Sequence, residues 1–258
     1  MSVNPNFARW ACSFSGCDGG DLDNSEIWVS GIEWGYGKLK SDSAEEHERK
    51  LKSYYNDGLA KEFKSSEPLY ENTYDIGEKS GHQFGRTFAK LYAAINGHKV
   101  SDYEKVVAET NGTEVFKLNL YPISFPETAD SYWQQYGLQS ITGLATKPLY
   151  RTWCSLQRFP FFAEQVRKKK PKLIIGAGKT YLNEFALAFG GERGISELGR
   201  IQIEPDSGKN GRIRDLYWGR IGGHTTLVVT PFFGRPQNLN SDYLIGQFGK
   251  EIQGLLDY

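Results

Sequence analysis

Ile27-Trp-Val-Ser-Gly31-Ile-Glu-Trp-Gly-Tyr-Gly37 decides the fold: an uncharged, partly β-branched run passes directly into a segment with three glycines. A short apolar run ending in glycine reads as a buried strand feeding a loop. Three further stretches share this character. Glu114-Val-Phe-Lys-Leu-Asn-Leu120 precedes Tyr-Pro-Ile-Ser-Phe-Pro126, where two prolines preclude regular structure. Pro171-Lys-Leu-Ile-Ile-Gly176 and Thr225-Thr-Leu-Val-Val-Thr230 have all-apolar centres, as strands of a sheet covered on both faces require.

Between these runs the period changes to that of a helix. Phe84, Phe88, Leu91, Tyr92 and Ile95 fall on one face of a helix that stops at Asn96-Gly97. Residues 41 to 67 are charged, with Leu51, Tyr54, Tyr55 and Leu59 at helical spacing, which predicts a solvated amphipathic helix within an insertion around 38–79. A long loop is expected after Pro126, then helices over Phe161 to Lys170 and Thr180 to Phe189. Alternation from Arg200 to Arg220 around Pro205-Asp-Ser-Gly-Lys-Asn-Gly211 predicts a hairpin, and Ser241 to Leu256 a capped terminal helix. The order implies one α/β domain over 1–258: three layers, α/β/α, around a central, mainly parallel sheet. Sites in such sheets lie beyond the carboxyl ends of strands, here after Ser30, Leu118, Ile175 and Thr230.

Lys+Arg and Asp+Glu are equal at 31 each among 258 residues, so any nucleic-acid contact must come from a local patch. The start lacks the basic and apolar regions of a secretory signal, and no stretch approaches the roughly 18 apolar residues of a membrane span, so a cytoplasmic protein is expected. Cys12, Cys17 and Cys154 lack paired spacing, which argues against a disulfide framework or a metal site. No cofactor is expected.

Gly176-Ala-Gly178-Lys179-Thr180 has the ending of a phosphate-cradling loop, but Leu173 stands where its first glycine is needed. The segment reads as a tight turn whose Lys179 is placed to touch one backbone phosphate. Asp18, Asp21 and Asp23 read as a solvated loop, and Arg167-Lys-Lys-Lys170 as the wet end of a helix.

Several segments together resemble the uracil-DNA glycosylase superfamily. Gly31-Ile-Glu33-Trp-Gly35 is similar to its first motif, with Glu33 at the position that orients the attacking water. Ser80-Gly-His-Gln-Phe84-Gly-Arg86 resembles the segment whose Phe stacks on an extruded base. Leu118-Asn119-Leu120-Tyr-Pro122 resembles the strand end whose Asn reads the base edge, and Pro171 to Thr180 the family's Pro-initiated strand and turn. Val228 to Asn238 sits where the family carries a His-containing motif, and Phe232 or Phe233 replaces the His according to alignment.

The resemblance implies a base glycosylase that hydrolyses the N-glycosidic bond of a flipped-out uncommon or damaged base in DNA. It implies Glu33 and Arg235 as catalytic candidates, with Arg235 serving the departing base in place of the His. It implies Phe84, Asn119, Tyr36 and Phe233 as base-binding residues. Two other readings stand beside it: an inactive nucleic-acid or nucleotide binder that keeps the fold, and a hydrolase or transferase on a small nucleoside-like metabolite.

Overall fold

The computed structural model describes residues 2–36, 42–65, 70–195, 198–206, 211–233 and 238–257. Its centre is a mixed six-stranded sheet in the order β2-β1-β3-β6-β5-β4. The strands are β1 (Ile27–Gly31), β2 (Val115–Asn119), β3 (Leu173–Ala177), β4 (Leu198–Ile203), β5 (Arg214–Ile221) and β6 (Thr225–Thr230). β2, β1, β3 and β6 run parallel, with Gly31 opposite Asn119. The expected hairpin is present as antiparallel β4 and β5, and β5 continues antiparallel to β6.

Helices on the first face are α1 (Pro5–Ala11), α2 (Ala44–Ser53) and α3 (Leu59–Glu62), then α7 (Ser131–Gln135), α8 (Leu138–Thr142), α9 (Lys147–Gln157), α10 (Phe159–Lys169) and α11 (Leu182–Gly190). The second face carries α4 (Ile76–Lys79), α5 (Gln83–Ile95), α6 (Tyr103–Ala108) and α12 (Asp242–Leu256). Alternate strand residues divide between the two cores. Trp28, Phe116, Ile174 and Leu227 pack with Tyr150 and Phe162 on the first face, whereas Val29, Val115, Ile175 and Val228 pack with Phe88, Leu91 and Phe248 on the second. Among the described residues no helix is long and apolar enough to cross a membrane.

Two sequence expectations change here. The stretch after Pro126 holds α7, α8 and α9; Thr146 caps α9 by accepting from the Leu149 amide, and Pro148 occupies its first turn, where a missing N–H costs nothing. The charged segment around 38–79 is more than solvated decoration. α2 passes through a π turn (Tyr54–Gly58) into α3, and Leu51, Tyr55, Leu59 and Phe63 all enter the first core.

The N-terminal segment covers the outer edge of β2, where the Asp18 and Gly19 amides donate to Lys117 O and the Lys117 amide donates to Gly19 O. Gly20 at φ +117° lies so close that a Cβ there would meet Val115 O at 2.1 Å. Arg158, fully buried at the end of α9, fastens this segment down with five hydrogen bonds to carbonyls. Its Nε donates to Leu120 O (2.9 Å), Nη1 to Ala11 O (2.5 Å) and Ser13 O (2.8 Å), and Nη2 to Ser15 O (2.7 Å) and Asn119 O (3.2 Å). Replacing it leaves those carbonyls buried and unpaired, each at a cost of about 1–3 kcal/mol. Arg158→Met is therefore expected to lose about 3 kcal/mol or more in urea unfolding, and Arg158→Lys to recover only part, since an ammonium has fewer donors and a different shape.

Candidate functional site

The parallel strands deliver their carboxyl ends to one edge of the sheet, and the loops after β1 and β2 leave that edge joined. Leu120 N donates to Gly31 O (3.1 Å), Tyr121 N to Ile32 O (2.8 Å), Phe125 N to Trp34 O (3.0 Å) and Tyr36 N to Phe125 O (2.9 Å). Tyr55 secures the second loop by donating its hydroxyl to Ser124 O (2.7 Å). Glu33, Tyr36 and Asn119 thus hang on one rigid double ribbon.

Glu33 is carried by that ribbon into an ion pair with Lys147 at the start of α9. Lys147 Nζ lies 3.0 Å from Glu33 Oε1, and the two side chains are only 0 % and 4 % exposed. The ammonium also sits 3.6 Å from the centre of the Phe125 ring, close enough for the ring's electron-rich face to hold a cation. Glu33 Oε2 is buried and has no hydrogen-bond partner. Burial pushes the Glu33 carboxyl up, against the pull of Lys147, and pushes Lys147 down, against the pull of Glu33. Both shifts favour the uncharged forms, so desolvation outweighs pairing at each partner.

Where the ribbon carries Trp34 and Tyr36, a cleft of about 670 Å³ opens, lined by Trp10, Trp34, Tyr36 and Tyr54 with Ser15, Cys17, His47 and Ser124, and with Lys50 and Lys61 set against Asp42 and Glu62; Glu33 is not part of its lining. Tyr36 and Tyr54 lie 5.0 Å apart, ring centre to ring centre. This is the size and mixture of a small-ligand site: an aromatic body with a few polar groups.

The other base-binding candidates lie in a second, filled cluster. Asn119 donates from Nδ2 to Gly16 O (2.9 Å) and accepts at Oδ1 from Lys117 Nζ (3.0 Å). Gly31 makes room for this amide, since a Cβ there would be 2.5 Å from Asn119 Oδ1. Lys117 Nζ also donates to Asp18 Oδ2 and Leu118 O, each at 3.0 Å, and stands 5.2 Å from the Phe84 ring centre. Asp18 therefore belongs to a largely buried pair rather than a solvated loop, and its Oδ2 also accepts from Trp34 Nε1 (2.9 Å). Phe84 packs on Phe233 at 4.9 Å, and Phe233 is itself buried against Phe88. A base stacked on Phe84 and read by Asn119 must displace Lys117, and Phe233 is closed off by its own core.

Lys179 follows β3 in a tight turn opened by Gly178 at φ +133°. Its Nζ lies 3.3 Å from Asp215, which Arg200 also engages. Arg235 lies outside the described residues. The described cysteines are free, and no group of three or more His, Cys, Asp or Glu able to hold a metal occurs among the described residues. Sequence reading missed Lys117, Lys147 and Arg158; a lysine in the middle of an otherwise apolar strand was the available signal for the first. No family model matches the chain, and no curated protein matches it.

The Glu33–Lys147 pair has a measurable signature. With its folded pKa raised above the ordinary glutamate value of 4.5, Glu33 supports the fold fully below that pH and loses its contribution as pH rises through the folded value. Lys147, lowered from 10.5, adds stability as pH rises above its folded value. Glu33→Gln and Lys147→Met are each expected to cost about 3–5 kcal/mol at pH 7 by stranding a buried partner, and the double variant to regain most of it. Denaturant unfolding from pH 4 to 9 is the check, and the double variant is expected to show a flatter pH dependence.

Proposed function

We propose that this chain hydrolyses the N-glycosidic bond of an uncommon base carried by DNA, in the manner of the uracil-DNA glycosylases its motifs resemble. The observation that carries this reading is the buried Glu33 carboxylate, with one oxygen held by Lys147 and the other unpartnered, on the same ribbon as the aromatic cleft. The bond breaks with positive charge growing on the sugar and negative charge on the base. A carboxylate in a dry site stabilises the first strongly, and its unpartnered oxygen has the capacity to accept one further hydrogen bond.

The base binds in the cleft beside Trp34, Tyr36 and Tyr54, so Tyr36 keeps the base-contact role read from its sequence position. Phe84 and Asn119 then act through Lys117 and Asp18 as the wall behind Trp34. Lys61 is the proposed phosphate contact at the cleft, while Lys50 is held by Asp42 at 2.7 Å. Arg235 is proposed as the group serving the departing base.

The engaged Asn119 amide favours a second reading, a binding protein that retains the fold without base release. Oligonucleotides bearing uracil, hypoxanthine, xanthine or a mismatch separate the two when incubated with the protein and scanned for alkali-labile sites. Base release is expected, lowered about 100-fold or more in Glu33→Gln with DNA affinity nearly intact, as for a group acting on the transition state. Tyr36→Ala is expected to weaken binding by about tenfold, the scale of one lost base–aromatic stack. Binding without release from any substrate establishes the second reading, and absence of binding removes both.

A further inference from the structure

We infer that Lys147, seated on the Phe125 ring, is a positioning residue that fixes the Glu33 carboxyl by Oε1 and favours its ionised form against burial, leaving Oε2 as the unpaired oxygen. The inference rests on the reading of Glu33 as the reactive carboxylate, and it adds the residue that makes that carboxylate competent. Its basis is geometric. Lys147 begins α9 directly after the Thr146 cap, so its backbone is fixed. Its side chain is fully buried and spans from the helix to Glu33 Oε1 at 3.0 Å, with its ammonium 3.6 Å from the Phe125 ring centre. Phe125 is in turn tied into the ribbon that carries Glu33, through its amide to Trp34 O and its carbonyl to the Tyr36 amide. One short lattice of bonds therefore fixes the carboxylate, the cation and the ring together.

Charge bookkeeping around Glu33 favours the same role. The charged groups acting on it are Lys147, Arg151 and Asp130, and Tyr55, Tyr150 and Tyr181 also sense it. The three phenols are pushed upward by burial and stay neutral at physiological pH. Arg151 stands 3.5 Å from Asp130, so those two charges largely offset one another. Lys147 is left as the one close, uncompensated counter-charge among them. Without it, burial alone sets the carboxyl and drives it toward its neutral form, in which it neither steadies a cation nor accepts a proton.

The test follows Glu33 directly and does not require turnover. In ¹³C-labelled protein the Glu33 side-chain carboxyl resonance is assigned by its loss in Glu33→Gln and titrated by NMR, with Asp130→Asn as a control for the neighbouring carboxylate. Lys147→Met is expected to raise the Glu33 midpoint by about one pH unit or more, a tenfold change in proton affinity, and Lys147→Arg to restore most of it. Phe125→Leu, which leaves both charges in place, is expected to raise it by less and provides the reading if Lys147→Met does not fold. The acid limb of any base-release profile should move by the same amount. A Glu33 midpoint unmoved in Lys147→Met, or in Phe125→Leu where that variant stands in, overturns the inference. A midpoint that moves as expected in a protein that releases no base sustains the positioning role and sinks the glycosylase reading instead.

Discussion

A guanidinium buried among carbonyls holds this fold in register. Among the described residues Arg158 meets no carboxylate; each of its five N–H groups is spent on the backbone of residues 11–15 or on the end of β2, and its guanidinium carbon lies 4.5 Å from the Phe162 ring centre. Only a planar fork with five donors satisfies carbonyls arriving from two chain segments at once. The consequence is architectural. β2 is an edge strand, and an uncovered edge is open to pairing with other chains; Arg158 pins the N-terminal segment that lies over it. The three thiols near this charge are not activated by it. Burial pushes Cys17 up to about 11 and Cys154 up to about 12, overcoming the pull of Arg158, so these cysteines remain protonated packing groups.

The two buried lysine–carboxylate pairs at the sheet edge differ in how completely they are satisfied. Lys117 places its ammonium on Asp18, Leu118 O and Asn119 Oδ1, and Asp18 Oδ2 receives the Trp34 indole as well. Such a network rigidifies and has little left to offer a ligand. The Glu33–Lys147 pair leaves Oε2 unpartnered in a site nearly closed to water. An unmet polar atom at that depth is costly. The contrast makes Glu33 the less satisfied of the two groups, although both it and Asn119 sit on neighbouring strand ends.

Legibility in the sequence followed burial on both faces. β1 and β6 were readable because their centres contain only uncharged residues, and α5 and α12 because one helical face is apolar and each has a clear start or stop. α9 was not, since Lys147 and Arg151 obscure its apolar face, yet Thr146 and Pro148 mark its start. The helical segment after Asp42 was read as solvated because its charges outnumber its apolar residues; a π turn lets Tyr55 and Leu59 reach the core while Tyr54 lines the cleft. Glu33 and Tyr36 are proposed from the resemblance carried by one short segment, Gly31 to Gly37. Their partners Lys147, Phe125 and Tyr54 come from three distant segments, and no local pattern joins them.

Charge placement narrows how a polyanion can approach. Lys179 reads as a free phosphate contact from its position after β3, but Asp215 holds it, and burial of Asp215 is overcome by Arg200 and Lys179 so that its carboxyl stays below the ordinary range. Two cations on one carboxylate leave that corner with a net charge of +1. At the end of α10, Arg167 and Lys168 are taken by Glu164, and Lys169 is taken by Asp23. Each exposed pair is weak, typically below about 1 kcal/mol, so a phosphate competes with it readily. A phosphate at the Lys179 corner gains one shared cation, whereas at the end of α10 four cations, Arg167 to Lys170, stand against the two carboxylates of Glu164 and Asp23. At the cleft, Lys61 stands beside an aromatic floor that a base can occupy at the same time. Lys50 and Lys61 are matched in the same lining by Asp42 and Glu62, so aromatic surface rather than surplus charge is what the cleft offers a ligand.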